Sequence, residues 1–319
     1  MRKSEQTPRI GISSCLLGQK VRFDSGHKHD RYITDVLGDY FEFVAVCPEV
    51  AIGMGTPREA VRLEGDPANP RMVGNKSGKD WTEKMNRYAR QRVRLFEQQP
   101  VSGYILKSKS PSCGMERVKV YNAKGAPGVP GRGLYAAELL RQLPFLPVEE
   151  EGRLHDPHIR ENFIVRVFAF HRLQRLFDGS FTRKELIAFH TAHKYLLLAH
   201  SQQYYRELGR LVAEVKQHPP AELRDIYSKL FMTALSFKTT VKKNVNVLQH
   251  IVGFLKNHLG EFEKKDIQRV IEDYRLELVP LVVPLTLVRH YIDKYDIEYI
   301  KGQHYLNPHP KELMLRNHV

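Results

Sequence analysis

The chain holds three cysteines, Cys15, Cys47 and Cys113, all within the first 113 of its 319 residues. An odd number argues against a disulfide framework, so the thiols are either small packing residues or a site. Three thiolates brought to one place would suit zinc or an iron–sulfur cluster, because soft sulfur ligands favour both. A structural zinc site or an ordinary electron-transfer cluster takes four protein ligands. Three leave one metal position open, and an open position implies a bound substrate polarised by a Lewis acid. The neighbours fit such a use. Cys47 is followed by Pro48 and Glu49, and Cys113 lies in "SKSPSCG", so groups able to move protons stand beside two of the three sulfurs. Arg22, Asp24 and Lys107 lie in or beside the cysteine-bearing loops. They are candidates for substrate contact; in the alternative, each is a charge that stabilises its loop.

For the sulfurs to meet, the chain must carry them to one edge of a scaffold. "RIGISSC", "FEFVAVC" and "SGYIL" are apolar, β-branched or aromatic runs that predict strands. Each is followed, directly or after a short loop, by one cysteine. Between them, "DRYITDVLGDY" and "DWTEKMNRYARQRVRLFEQQ" are spaced like helices, with Met85, Tyr88, Val93 and Phe96 approximating one apolar face. This alternation predicts an α/β N-terminal domain with a mainly parallel, open sheet. Its ligand crevice should lie at the carboxyl ends of the strands, where cysteines 32 and 66 residues apart can converge. "NAKGAPGVPGRGLYAAELLRQ" reads as a Gly/Pro-rich loop entering a helix near Leu134; its glycine spacing fits neither the Rossmann nor the Walker pattern. "LPVEEEGRLHDPHIRENF" then brings an acidic run, Pro157 and a new helix start. The domains are expected at 1–152 and 153–319.

Three segments, "ISSCLLGQKVRFDSGHK", "VAVCPEVAIGMGTPREAVRL" and "GYILKSKSPSCG", resemble the thiouracil desulfidase (TudS-like) family over nearly all of residues 9–145. The resemblance implies a 4Fe-4S cluster held by Cys15, Cys47 and Cys113, with the fourth iron free for the substrate's sulfur. It also makes Glu49 the catalytic carboxylate and places Ser110 near the cluster. One departure is Ser25, between Asp24 and Gly26, where the family would have glycine directly after the aspartate. The chemistry is coherent with these residues. A thiocarbonyl sulfur is a soft ligand, and its coordination polarises the carbon toward water. Glu49 could take the proton from that water or return one to the ring. Ser110 and Ser112 could position water or substrate, or serve only as turn and cap residues.

The remainder reads as an all-α helical C-terminal domain. Ile159, Phe163, Ile164, Val167 and Phe168 form one face of a helix, with Arg160, Arg166, Arg172 and Arg175 on the other. Further helices are expected from Leu186 through Leu211, from about Glu222 to Leu259, and from near Lys264. This half, with "ENFIVRVFAF" and "FHTAHKYLLLAHS", resembles the uncharacterised domain fused to such desulfidases in proteins that remove sulfur from thiolated tRNA. His190, His193 and His200 share one of its helices; without an acidic partner in the metalloprotease pattern they are expected to be buried or to face RNA. Lys238, Lys242, Lys243, Arg206 and Arg210 are candidate phosphate contacts, and Tyr204 and Tyr205 candidate base-stacking residues.

A hydrophobic content of 42% with 10% aromatics supports packed cores, while the formal charge of +14 suits a polyanionic partner. Residues 1–150 carry 24 basic and 17 acidic side chains, residues 151–250 carry 16 and 9, and the rest balance at 10 and 10. The excess in the second half therefore sits in its first hundred residues. "LELVPLVVPLTLV" is shorter than the roughly 20 residues a membrane span needs and contains Pro280 and Pro284; a buried, kinked segment is expected. "MRKSEQTPRI" has no apolar core of signal-peptide length. A cytoplasmic protein is expected, with no membrane and no protein partner. The leading reading is an iron–sulfur-dependent, non-redox desulfidase of 4-thiouridine in tRNA, which would yield uridine and hydrogen sulfide. One alternative keeps the enzyme but gives it free thiouracil or thiouridine nucleotides. Another is a non-enzymatic iron–sulfur protein that binds RNA or senses redox state, for which Glu49 would be dispensable.

Overall fold

In the computed structural model, which describes residues 7–318, the first apolar run becomes β1 (Arg9–Ser13). The charged residues 1–6, part of the stretch read for an export signal, lie outside the described residues. β1 pairs in parallel with β2 (Glu42–Val46). A single helical turn α1 (Pro48–Ala51), short strands β3 (Val61–Glu64) and β4 (Arg71–Gly74), and the long helix α2 (Thr82–Gln98) follow. β5 (Gly103–Leu106) then joins β1 from its other side, again in parallel. The chain continues through β6 (Val120–Tyr121) and α3 (Leu134–Gln142) to β7 (Val148–Glu150), which pairs in parallel with β5. The main sheet thus has the order β2-β1-β5-β7, with every pairing parallel.

The two inner strands are covered on both faces, which is why they read as unbroken apolar runs. Every residue of β5 is buried, and so is every residue of β1 after Arg9. Gly11 of β1 lies opposite Tyr104. A Cβ there would stand 2.3 Å from the Tyr104 ring, so only glycine lets that ring lie across the strand. The Tyr104 hydroxyl in turn accepts from Tyr135 of α3 at 3.1 Å. α2 buries Met85, Ala89, Val93 and Phe96, with Tyr88 half-buried beside them.

Three features differ from expectation. The stretch around Asp30–Tyr40 forms only a π turn at Tyr32–Val36 and a 3-10 turn at Leu37–Asp39. There the Asp30 side chain accepts from Ile33 N at 3.2 Å, as a helix N-cap does, and only short helical turns follow. The acidic run expected only to mark a boundary forms the fourth strand, β7, because its carboxylates have partners. Glu149 accepts from Arg153 Nε at 2.6 Å and Glu150 from Met115 N at 2.8 Å. A second small sheet, β4-β3-β6, pairs β3 antiparallel with β4 and parallel with β6.

Chain contacts divide between His155 and Asp156. The second unit is helical: α4 (Pro157–Leu176), α5 (Arg183–His200), α6 (Gln202–Ala213), α7 (Pro220–Ser236), α8 (Val241–Leu255), α9 (Glu261–Arg275), α10 (Val282–Lys294) and the short α11 (Glu298–Lys301). Two segments expected as continuous helices are each split in two. Ser201 is extended and caps α6, and Thr240 is extended and caps α8 through Lys243 N. The start of "LELVPLVVPLTLV" is exposed rather than buried: Leu276 and Leu278 face solvent, and Glu277 adopts a positive φ. Pro284 falls in the first turn of α10, where its missing N–H breaks no helical hydrogen bond. No helix among the described residues is long and apolar enough to cross a membrane.

Candidate active site

Parallel strands deliver their carboxyl ends to one edge, and all three cysteines leave from it. Cys15 sits in the 3-10 turn after β1, Cys47 directly follows β2 as the residue before α1, and Cys113 lies in the loop after β5. All three line one cavity of about 330 Å³, together with Arg22, Glu49, Lys107, Ser110 and Ser112. Of the candidate site residues of the first domain, only Asp24 is not part of its wall. Its carboxylate binds Gly26 N at 3.0 Å and approaches Arg22 Nε at 3.4 Å, and Ser25 between them takes a positive φ. Asp24 therefore shapes the loop that presents Arg22. The hydrogen bond from Gly26 N holds its carboxyl below the usual carboxylate range.

The thiols are free. Burial is the chief reason the Cys15 thiol is pushed up to about 11, with the Cys47 charge next. Burial likewise raises Cys47, and pushes Cys113 up to about 12. Such thiols do not ionise unaided, whereas a coordinated metal displaces the proton outright. Among the described residues, no three His, Cys, Asp or Glu side chains lie close enough together to hold a metal ion. The three sulfurs line one cavity of about 330 Å³, which leaves room for a multi-atom cluster. The donor set and the cavity between the donors fit such a group.

Beside the sulfurs lies an ordered polar chain. Ser112 is buried, and its hydroxyl donates to Glu49 Oε1 at 2.7 Å. Its own proton being committed to the carboxylate, the Ser110 hydroxyl 3.0 Å away must donate to it. Ser110 Oγ then accepts from Ser112 N at 3.3 Å and Cys113 N at 3.2 Å, closing the turn that carries the sulfur. Glu49 Oε2 accepts from Arg58 Nε at 3.0 Å and also from Arg58 Nη2. The pair is buried, at 14% and 6% side-chain exposure. Arg58 is itself tethered: its N–H donates to Phe23 O at 3.0 Å and its Nη1 to Gly55 O at 2.9 Å.

Lys107 is equally occupied. Its ammonium donates to Ser108 O at 3.1 Å, Ser108 Oγ at 2.9 Å and Glu151 Oε1, which uses all three of its N–H groups. Its backbone N–H donates to Ser13 Oγ at 3.0 Å. Lys107 thus borders the cavity as a brace between β5, β1 and the end of β7. Arg58, Ser13 and Glu151 were not singled out in the sequence. A carboxylate drawn into a cavity wall requires a cation, but nothing in the sequence marked Glu49 as drawn in, so Arg58 had no pointer.

In the helical unit His190, His193 and His200 are core residues. His190 Nδ1 meets Tyr227 Oη at 3.2 Å, His193 Nδ1 meets Phe189 O at 2.8 Å and His200 Nδ1 meets Phe237 O at 2.6 Å. Lys243 Nζ donates to His200 O at 2.7 Å and Lys238 O at 2.9 Å, so it ties the end of α5 to the start of α8. Tyr204 and Tyr205 are half-buried, Tyr204 packing on Phe237 with ring centroids 5.8 Å apart. Arg206, Arg210, Lys238 and Lys242 are exposed.

The family model of 2-thiouracil desulfurases matches residues 10–151, and that of a protein family of unknown function, DUF1722, matches residues 194–310. An uncharacterised Escherichia coli (strain K12) protein, YbgA, is 32% identical over 160 residues, covering 49% of this chain and 94% of that protein. An uncharacterised Bacillus subtilis (strain 168) protein, YbbK, is 31% identical over 147 residues, covering 44% of this chain and 95% of that protein. Among solved structures, the [4Fe-4S]-dependent thiouracil desulfidase TudS is 32% identical, covering 47% of this chain and 94% of that one, with a TM-score of 0.38.

Proposed function

The chain belongs to the thiouracil desulfidase (TudS-like) family, in the form that carries a C-terminal DUF1722 domain, and from that premise we propose that it is an iron–sulfur-dependent desulfidase of thiolated uracil. The thiocarbonyl carbon gains the oxygen of water and the sulfur departs as hydrogen sulfide, with no net electron transfer. The observation that carries the reading is the convergence of Cys15, Cys47 and Cys113 with the Ser110–Ser112–Glu49 chain on one cavity.

We assign a 4Fe-4S cluster to the three cysteines; bound there with one iron free of protein ligands, it would supply a soft Lewis acid for the thiocarbonyl sulfur. Glu49 takes the proton of the attacking water at Oε1, whose remaining lone pair is not used by Ser112. Arg58, on Oε2, fixes the carboxylate's orientation. Ser112 and Ser110 hold the Cys113 turn and the carboxylate in register. Val21, Phe23 and Val61 line the same cavity and offer apolar contact to a pyrimidine ring. Arg22, on the cavity wall, is the candidate donor to substrate oxygen.

Two substrate classes share this chemistry. The family resemblance supports free thiouracil or its nucleotides. The finer reading, 4-thiouridine within tRNA, is favoured by the net charge of +14 and by a helical domain that a free base does not require. Protein reconstituted without oxygen and incubated with 4-thiouracil, 4-thiouridine monophosphate and thiolated tRNA separates them. The tRNA reading expects the highest kcat/KM on tRNA and a steep loss with salt, because several phosphates are gripped at once. A salt-insensitive preference for the small molecules assigns the enzyme to them. Sulfide release from none of the three would refute the desulfidase.

A further inference from the structure

On the desulfidase unit, apart from the sulfur cavity, a groove of about 600 Å³ runs between α2 and α3 and the loops at Pro67–Pro70 and Pro130–Arg132. Four guanidinium groups line it, Arg90, Arg117, Arg132 and Arg141, against two carboxylates, Glu116 and Glu138. Both carboxylates are already engaged: Glu138 binds Arg141 through two contacts, and Glu116 is held by Arg153 at 3.1 Å. Arg117 stands 3.7 Å from Glu116 with 82% of its side chain exposed. Among the described residues, Arg90 and Arg132 make no close ion pair, although Arg90 is near enough to Glu138 to help lower its carboxyl, and both are exposed. The cationic surplus of the groove therefore points to solvent and awaits an anion.

The groove is preformed and adjoins the site. A Cβ on Gly131 would stand 2.8 Å from Val120 Cγ2 and 3.2 Å from Pro67 O, so the floor is closed by backbone contact. Gly133 N donates to Gly114 O, and Leu134, Tyr135 and Ala136 donate their N–H groups to Pro111 O and Ser112 O. One face of the Cys113 loop is therefore the sulfur cavity, and the other is bonded to the segment that walls the groove. Arg117 is four residues from Cys113, which places the two at most about 14 Å apart along the chain. Arginine forks along a groove match a row of phosphodiesters better than one phosphate, and Asn69 and Asn86 on the same walls can bond phosphate or sugar oxygens.

We propose that this arginine groove is a docking surface for an RNA backbone, seating the phosphates that flank a base presented to the sulfur cavity. The proposal rests on the tRNA reading of the substrate, and it assigns part of the grip to the desulfidase unit. Binding of a fluorescent, unmodified tRNA transcript to the full chain tests it apart from chemistry, since that RNA has no sulfur to lose. Arg90→Gln with Arg132→Gln should weaken binding at least about tenfold and lower the slope of log affinity against log salt by about 2. Sulfide release from free 4-thiouracil should stay unchanged. Wild-type affinity and slope in the double variant would overturn the proposal. So would polyglutamate that binds as tightly as RNA with the same dependence on these arginines, since the partner would then be an acidic protein. If the double variant fails to fold, dicarbonyl modification of the wild type decides: RNA protects Arg90 and Arg132 under the proposal and leaves them fully reactive if it is wrong. A wild type that binds RNA but releases no sulfide from any substrate refutes the desulfidase and leaves this surface standing.

Discussion

At the scale of single residues, the account turns on Glu49. Its neighbours are donors, Ser112 on one oxygen and Arg58 on the other, so the carboxylate is held still on the cavity wall. Glu49→Gln keeps the shape but removes the base. Turnover should fall by about 10² to 10⁴, with iron and sulfide content equal to wild type. Undiminished turnover in that variant would show that Glu49 is not the base. Much of this site was legible because the chemistry lies beside the sulfur in sequence: Cys47 and Glu49 are two apart, Ser110 and Cys113 three. Arg58 was not legible, since its partner is nine residues away across a loop. Lys107 was read as either a substrate contact or a loop-stabilising charge, and only the fold reveals that its three donors end on Ser108 and Glu151.

At the scale of elements, three strands were readable because buried parallel strands are continuous apolar runs. β7 was not, because a strand spelled Val-Glu-Glu is tolerated only where Arg153 and the Met115 N–H meet its carboxylates. The split of α5 from α6 was hidden for a similar reason: one side-chain cap at Ser201 outweighs the helical periodicity on either side. The contact between α3 and the Cys113 loop is the most exacting of these arrangements. Gly133 has an ordinary φ of −64°, so it is required by space and not by backbone conformation. A Cβ there would stand 2.5 Å from the Ser112 carbonyl and 2.9 Å from Cys113 N. Gly133→Ala should therefore cost about 1–3 kcal/mol of stability and reduce bound iron, read by thermal unfolding and iron analysis of the same preparation. A variant as stable and as iron-rich as wild type would show that the loop has slack.

For the whole molecule, two chemistries are kept in separate units: sulfur, carboxylate and arginine before residue 156, and a core with neutral histidines after it. Burial holds His190, His200 and His309 down to about 4 and His304 to about 3, against an ordinary 6.5. The unfolded chain binds these protons from about pH 6.5 downward while the folded one does not. Stability is therefore full above about 6.5 and declines as pH falls toward about 4, by on the order of a few kcal/mol per histidine. Thermal unfolding followed by helical circular dichroism should show Tm falling across that window, with a shallower fall in His200→Gln; a flat Tm would contradict the burial argument. The central claim, that the cavity replaces thiocarbonyl sulfur by oxygen from water, is tested most directly with protein reconstituted without oxygen in ¹⁸O-labelled water and given 4-thiouracil. Hydrogen sulfide and ¹⁸O-labelled uracil are expected in equal amounts; sulfur that stays on the ring, or a product without the label, would contradict hydrolysis in the cavity.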